Sequence, residues 1–342
     1  MNKTRNFRRF ANRKACILFV FCVALSSGLF AQKVEIKLAS SLPRNSDWGI
    51  ILDRIAAEWI QATNGEVELK VFHQRAGSED DYLKWLRQGR FEAAIFTSSA
   101  LYSIAPEIMA LSIPFLIRNN DEFDAVLKEV RPILDTKIEE KGFKNLAWAK
   151  AGWVKVFSRS PVYTPDDLRR LKIATNPADK KLADAFKAMG FQLVGANINE
   201  VPQFLASRRI DAVYQSPIAV QATQLYKVAG NMSSINLAPF MGGILMNRRG
   251  WESIPQRHQA RLQEIVRKAG IEIETSFQKR EADSIEAMKR DGVRYNQSTP
   301  DQVNLWYQDM QDRLPDMVNR GIFNKEMYER INQILANYRR SR

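Results

Sequence analysis

Cysteine and histidine are scarce in this 342-residue sequence, and their scarcity removes several classes of chemistry. The two cysteines, Cys16 and Cys22, both lie near the amino terminus, so the rest of the chain can form neither a disulfide nor a thiolate zinc site. The two histidines, His73 and His258, are too few for the usual zinc ligand sets. The G-x-S-x-G, G-x-x-x-x-G-K and G-x-G-x-x-G motifs are absent as well. We therefore predict no metal, no cofactor and no catalytic site.

Long apolar runs are also missing. The clearest one, Ala15–Leu25, falls well short of the ~20 residues that a membrane-spanning helix needs. It follows a basic stretch, residues 1–14, and precedes small residues, which is the arrangement of a secretory signal. We predict a signal peptide over residues 1–31, cleaved after Ala31, and export to the periplasm. The alternatives are a retained membrane anchor and a lipoprotein modified at Cys22.

Positive charge is in excess, because 51 Lys and Arg face 38 Asp and Glu and give a formal net charge of +13. Six of the basic residues lie in residues 1–14, which contain no acid, so the remainder of the chain is only mildly basic. A nucleic-acid-binding domain concentrates its basic residues on the folded surface, and the sequence contains no such block. We predict no nucleic acid partner.

Short apolar segments alternate with amphipathic ones along the chain. The predicted strands are Val34–Ala39, Val67–Phe72, Phe91–Phe96, Leu171–Ala174, Phe191–Val194 and Ile210–Tyr214. Between the first two, Ile51, Ile55 and Trp59 recur at helical spacing after Ser46, a residue type that caps helices. Strands that alternate with helices predict an α/β fold with a parallel sheet.

Two longer apolar segments and one long helix predict how these units are joined. Trp153–Ser158 and Leu237–Asn247 are predicted to be strands that cross from one lobe to the other, and Leu262–Met288 is predicted to be a long connecting helix. Two lobes joined in this way form a ligand clamp. Lobe I is predicted to comprise residues 32–151 and about 241–280, and lobe II residues 152–240 and about 281–342.

Several motifs occur in the order found in a known family of binding proteins. They are Lys37–Pro43 (K-L-A-S-S-L-P), Gly77–Glu79 followed by Leu86–Ala94, Ser112–Leu116 (S-I-P-F-L), Tyr163–Ile173 (Y-T-P-D-D-L-R-R-L-K-I), Asn199–Val201, Arg209–Ala212 and Trp251–Pro255. Together they resemble the periplasmic substrate-binding proteins of tripartite ATP-independent (TRAP) transporters over essentially all of the chain after the signal. The resemblance implies a two-lobed periplasmic binding protein (type II-like). It also implies a non-enzymatic receptor that closes on a small-molecule ligand and delivers it to TRAP membrane permease subunits.

The chain departs from the resembled family at positions that hold a substrate carboxylate. The family's arginine after L-K-I corresponds to Ala174, and a second family arginine corresponds to Val154. A ligand-contacting asparagine of the family corresponds to Gln215 or Ser216. Burying a carboxylate without a cation is costly, so we predict an apolar or weakly polar ligand.

The predicted ligand cleft combines aromatic and aliphatic side chains with a few that form hydrogen bonds. The predicted set is Trp48, Ser98, Ser99, Trp153, Val154, Ala174, Asn176, Gln215, Ser216, Phe240 and Met241. The resemblance also leaves a second hypothesis open. In it, the chain is a periplasmic interaction or assembly protein that works with a tetratricopeptide-repeat partner.

Overall fold

The computed structural model describes residues 33–177, 179–197 and 199–341, so the predicted signal peptide lies outside the described residues. Within these ranges the strands are β1 (Val34–Ala39), β2 (Val67–Phe72), β3 (Ala93–Thr97), β4 (Phe143–Ser158), β5 (Lys172–Thr175), β6 (Gln192–Gly195), β7 (Ala212–Gln215), β8 (Asn231–Ser233), β9 (Ala238–Asn247) and β10 (Arg294–Asn296). The α-helices are α1 (Asp47–Ala62), α2 (Glu79–Gln88), α3 (Ser98–Ile104), α4 (Asn120–Glu140), α5 (Pro165–Arg169), α6 (Lys180–Ala188), α7 (Val201–Ala206), α8 (Pro217–Ala222), α9 (Arg248–Ser253), α10 (Gln256–Arg290), α11 (Pro300–Asn319) and α12 (Lys325–Arg340). Short 3-10 helices cover Pro106–Ser112 and Leu225–Lys227.

The amino-terminal β-α-β unit follows directly from the sequence pattern. In β1, Ile36 and Leu38 are buried whereas Glu35 is exposed, as alternation along a strand requires. Ser46 caps α1, because its hydroxyl accepts a hydrogen bond from the amide of Gly49 at 3.2 Å. β1 pairs in parallel with both β2 and β3. The predicted α/β organisation with parallel strands is therefore present in this half.

Strands β4 and β9 join the two halves of the sheet, whose order is β2-β1-β3-β9-β4-β7-β5-β6. β9 lies antiparallel between β3 and β4, and the far end of β4 is antiparallel to β7. The crossing strand predicted over Trp153–Ser158 is the last part of this longer β4, which begins at Phe143. The pairing of β4 with β9 shifts register between Lys150 and Trp153. Because of this irregularity, the sequence pattern does not predict that the two parts form one continuous strand.

The second half of the sheet repeats the β-α arrangement. β5 pairs in parallel with β6 on one side and with β7 on the other, close to the positions predicted from the sequence. Asp179 caps α6, which returns the chain from β5 to β6. The short strands β8 and β10 pair with each other in parallel, and β8 also pairs with β4.

The long helix α10 packs against β4 and α1 on the first half of the molecule. Its predicted apolar stripe is buried at Leu262, Val266, Ala269 and Ile273. A side chain at Gly270 would lie 3.2 Å from the carbonyl oxygen of Trp148, so glycine lets the helix backbone approach β4 closely. In the described part of the chain, no helix is both long enough and apolar enough to cross a membrane.

The carboxyl-terminal helices fold back over both halves of the sheet. In α11, the Trp306 ring packs against Phe115 with ring centroids 5.0 Å apart, and its indole N–H donates to the Tyr163 carbonyl at 2.9 Å. In α12, Arg339 forms an ion pair with the buried Glu122 of α4 at 2.8 Å. The helix α12 therefore contacts residues of the predicted first lobe, and the predicted lobe boundaries stay a prediction.

Candidate functional site

A cavity of about 320 Å³ lies between the two halves of the sheet, where strands β3, β5 and β7 end. At each of these strand ends, the last residue of the strand and a residue beside it lie on the wall. The strand-end residues on the wall are Thr97 and Ser98, Thr175 and Asn176, and Tyr214 and Gln215. The crossing strands also contribute to the wall, with Val154 from β4 and Ala238, Pro239 and Phe240 from β9. Ligand sites of α/β proteins lie at the carboxyl ends of the strands, and a volume of this size suits a small molecule.

Seven residues of the predicted cleft lie on the wall of this cavity. They are Ser98, Ser99, Val154, Ala174, Asn176, Gln215 and Phe240. Ser98 is buried, and its hydroxyl already donates to the Met241 carbonyl at 2.7 Å. It therefore fixes α3 to β9 and is less available to a ligand than its position on the wall suggests.

Four predicted residues lie away from the wall, and each has a structural contact elsewhere. The Trp48 ring packs edge-on against Phe277, with centroids 5.4 Å apart. The Trp153 indole donates to the Asn120 side chain at 2.8 Å. Ser216 caps α8, and Met241 is buried beside Ser98. The two predicted tryptophans therefore contact residues of α10 and α4 and not the cavity.

Several polar residues of the wall were missed by the sequence analysis. They are Thr97, Tyr102, Ser112, Thr175, Asp179 and Tyr214. Thr97, Thr175 and Tyr214 had a usable signal, because each lies at the carboxyl end of a predicted parallel strand. Tyr102 and Ser112 come from α3 and the following 3-10 helix, and no spacing in the sequence relates them to the strand ends.

Two tyrosine hydroxyls supply neutral hydrogen-bonding groups to the cavity. Tyr102 donates to the Ser112 hydroxyl, and the Tyr214 hydroxyl lies 3.4 Å from the Thr175 hydroxyl. Burial raises the pKa of Tyr102 and of Tyr214 to about 12, so both stay protonated at neutral pH. Both residues can therefore bind a neutral ligand without adding charge.

The charged groups at the cavity are carboxylates. Asp179 lies on the wall, and burial raises the pKa of its carboxyl. Glu79, the first residue of α2, lies behind the wall and accepts hydrogen bonds from the Thr97 amide at 2.6 Å and the Thr97 hydroxyl at 2.7 Å. Burial also raises the pKa of Glu79. Among the described residues, the wall contains no Lys, Arg or His.

Lys155, the cation closest in sequence to the wall residue Val154, is turned away from the cavity. Its ammonium group donates to the Ser234 carbonyl at 3.1 Å and to the Asn236 side chain at 2.7 Å. Burial lowers the pKa of Lys155 to about 8, although the charge of Glu281 opposes that shift. Alternation along β4 thus directs Val154 into the cavity and Lys155 away from it.

The two histidines form hydrogen bonds away from the cavity. His73 hydrogen-bonds to Asp53 at 2.8 Å, and His258 to Glu66 at 3.2 Å, and neither histidine lies on the cavity wall. A cavity between the halves of a crossed α/β sheet, lined by apolar groups, neutral polar groups and one carboxylate, is typical of a small-molecule binding protein. The chain belongs to the bacterial extracellular solute-binding proteins, family 7, whose family model matches residues 38–320.

Individual relatives agree with this family. The chain is 28% identical over 236 residues to the 2,3-diketo-L-gulonate-binding periplasmic protein YiaO of Escherichia coli, a match that covers 68% of this chain and 72% of that protein. Its fold is similar to a TRAP periplasmic solute-binding protein of Ochrobactrum anthropi, with a TM-score of 0.81, 18% identity and coverage of 91% and 98% of the two chains. A second, from Chromohalobacter salexigens with bound D-glucuronate, has a TM-score of 0.77, 22% identity and coverage of 88% and 99%. The predicted two-lobed α/β fold is confirmed.

Family membership confirms the prediction of a solute-binding protein and, because the relatives are binding proteins, of a chain that is not an enzyme. The E. coli and C. salexigens relatives are described with sugar acids, so these relatives do not support the predicted apolar ligand. None of the relatives named above is described with a tetratricopeptide-repeat partner, so that hypothesis stays a prediction. The predicted cleavage after Ala31 falls outside the described residues.

Proposed function

We propose that the chain is the extracytoplasmic receptor of a TRAP-type importer and that its ligand is mainly apolar and has no carboxylate. In this proposal a cleaved signal peptide exports the receptor to the periplasm. There its two lobes close on the ligand and present it to the membrane permease subunits. Family membership supports the receptor part of the proposal, and the composition of the cavity wall supports the ligand part.

The absence of a cation from the described cavity wall is the observation that carries the ligand part. Ala174 and Val154, which replace the two arginines that the resemblance implies, both lie on that wall. Lys155, the cation next to Val154, is buried on the other side of β4 with partners of its own. A carboxylate entering this cavity would lose its hydration without gaining an ion pair.

Negative charge at the cavity adds a second argument against an acid. Asp179 on the wall and Glu79 behind Thr97 would both repel a ligand carboxylate. Apolar contact is available instead, because the wall includes Leu182, Phe186 and Phe240. A ligand with an apolar body therefore matches this wall better than a sugar acid does.

Native mass spectrometry of the protein recovered from the periplasm tests the proposal. We expect one bound small molecule without a carboxylate. Returning it to stripped protein should raise the melting temperature in a single-site titration, because binding to the folded state alone stabilises that state. D-glucuronate, the ligand of the C. salexigens relative, serves as the matched acid and should leave the melting temperature unchanged.

The two parts of the proposal fail in different ways. Tight binding of D-glucuronate would contradict the ligand part, because some other group would then have to hold its carboxylate. If no small molecule co-purifies and none from a broad panel raises the melting temperature, the receptor part would be contradicted instead.

A further inference from the structure

Asp179 places a negative charge on a cavity wall that is otherwise neutral. It lies four residues after the end of β5 and immediately precedes α6, whose N-cap it forms. Of the described residues that line the cavity, it is the only Asp, Glu, Lys, Arg or His. A ligand that fills this cavity therefore meets one carboxylate and no opposing cation from the wall.

The Asp179 carboxylate accepts fewer hydrogen bonds than it has acceptor positions. It accepts a hydrogen bond from the Leu182 amide at 3.4 Å and another from the Ser99 hydroxyl at 3.3 Å. Both are long, and an ionised carboxylate has about four acceptor positions. Within the described part of the chain, Asp179 forms no ion pair, and no cation contributes to its pKa.

Partial burial destabilises the ionised form of the Asp179 carboxylate when no ligand is bound. Removal of water is the largest influence on the pKa of Asp179 and raises it, whereas the two hydrogen bonds lower it and do not offset the burial. A positive charge brought by a ligand would favour the ionised form and replace the lost hydration. The half-buried carboxylate is therefore better matched to a cation than to an apolar group.

Aromatic side chains lie on the same cavity wall as Asp179. The rings of Phe186 and Tyr214 meet edge to face with centroids 4.8 Å apart, and both residues line the wall. The negative charge of Asp179 contributes to the raised pKa of Tyr102 and of Tyr214, so its field reaches both hydroxyls. Aromatic faces attract cations, and an ammonium group near Asp179 would gain from both interactions.

We propose that the ligand carries an ammonium group on an apolar body and that the Asp179 carboxylate binds this group. The proposal rests on the proposed function, because it names the class of ligand for the same cavity. Ser99 then lies beside the bound group and can hydrogen-bond to it or to Asp179.

Asp179 also has a purely structural role as the N-cap of α6, and the test must separate the two roles. Asparagine caps a helix about as well as aspartate, so Asp179→Asn removes the charge and keeps the cap. Asp179→Ser is a second capping variant without charge. Circular dichroism and the melting temperature of each variant establish that the fold is retained.

The probes are three compounds of the same shape: benzylamine, benzyl alcohol and benzoate. Calorimetric titration and thermal shift are measured for each probe with the unmodified protein and both variants. In the unmodified protein we expect benzylamine to bind most tightly and benzoate most weakly. In Asp179→Asn and Asp179→Ser, the affinity for benzylamine should fall about 10- to 100-fold, the value of a hydrogen-bonded charge pair. The affinity for benzyl alcohol should change less than about threefold, because its hydroxyl can bind to the neutral side chains.

Each other outcome has a definite meaning. If benzylamine binds equally well to the unmodified protein and the variants, Asp179 only caps the helix and the proposal is wrong. If benzyl alcohol binds and benzylamine is not preferred, the proposal is wrong while the proposed function stands. Preferred binding of benzoate would contradict this proposal together with the ligand part of the proposed function. If none of the three binds, the cavity does not take such ligands and this proposal is overturned.

Discussion

Ala174 is the residue at which the chain differs most clearly from the resembled acid-binding pattern. It lies on β5, is 7% exposed, and lines the cavity together with its neighbours Thr175 and Asn176. Its methyl group leaves space and supplies no charge. A single substitution here can therefore test whether the rest of the cavity keeps the geometry needed to hold a carboxylate.

Ala174→Arg should create an acid-binding receptor. Without a ligand, the partly buried guanidinium should lower the free energy of unfolding by roughly 1–3 kcal/mol. Added D-glucuronate or succinate should restore stability, because the carboxylate pairs with the new cation in the folded state only. Melting temperatures across a panel of acids check this, and Ala174→Met is the control that fills the space without charge. A variant that shows no response to any acid would mean that the cavity lacks the resembled geometry.

The wall residues show which parts of the site a sequence can predict. Asn176 and Gln215, two of the predicted residues, lie on the cavity wall at the carboxyl ends of β5 and β7, which the order of the strands brings together. Tyr102 reaches the cavity only through the packing of α3, which no local pattern encodes. Trp48 and Trp153, which were predicted to line the cleft, contact Phe277 and Asn120 instead of the cavity wall, because an aromatic residue can pack against a helix as readily as against a ligand.

At the scale of elements, the middle of β4 is the most unusual segment of the sheet. Its pairing with β9 shifts register between Lys150 and Trp153, and Gly152 in this gap has a φ of +91°. The Trp153 amide donates to the Glu281 carboxylate of α10 at 3.3 Å, so the helix is hydrogen-bonded to the irregular part of the strand. A side chain at Gly152 would collide with that carboxylate.

Gly152→Ala should therefore destabilise the protein in two ways. The positive φ costs a non-glycine residue about 1–2 kcal/mol, and displacement of Glu281 from the Trp153 amide should add about 1 kcal/mol. Gly142→Ala is the matched control, because Gly142 has a φ of +84° and a methyl group added there would meet only open space. Urea unfolding of both variants measures the difference. Equal losses would show that Glu281 moves aside without cost.

Element types were more predictable than element lengths. The period of the apolar residues indicated β1 and α10 correctly, because each has one face in the core and a regular backbone. The start of β4 at Phe143 was missed because the register shift breaks the strand pattern before the crossing segment. Irregularities of this kind depend on the neighbouring helix, which a local sequence window does not contain.

At the scale of the whole molecule, the two halves are not independent units. Strands β4 and β9 take part in pairing that extends from β3 in one half to β7 in the other. One apolar cluster contains Phe123 and Leu134 of the first half together with Phe186 and Trp306, which lie later in the chain. Shared strands and a shared core couple the unfolding of the halves, because neither half can open without exposing part of the other.

Scanning calorimetry should accordingly give a single unfolding transition, and Trp306→Ala should move it as a whole. Trp306 is 1% exposed, packs on Phe115 and donates to Tyr163, so its truncation should cost about 3–5 kcal/mol. For a chain of this size that loss lowers the melting temperature by roughly 4–8 °C. Leu305→Ala, on the same helix but 47% exposed, is the control and should stay within about 0.5 kcal/mol. Two separate transitions in the unmodified protein or in Trp306→Ala would show that the crossing strands do not couple the halves, and would contradict this view of the fold.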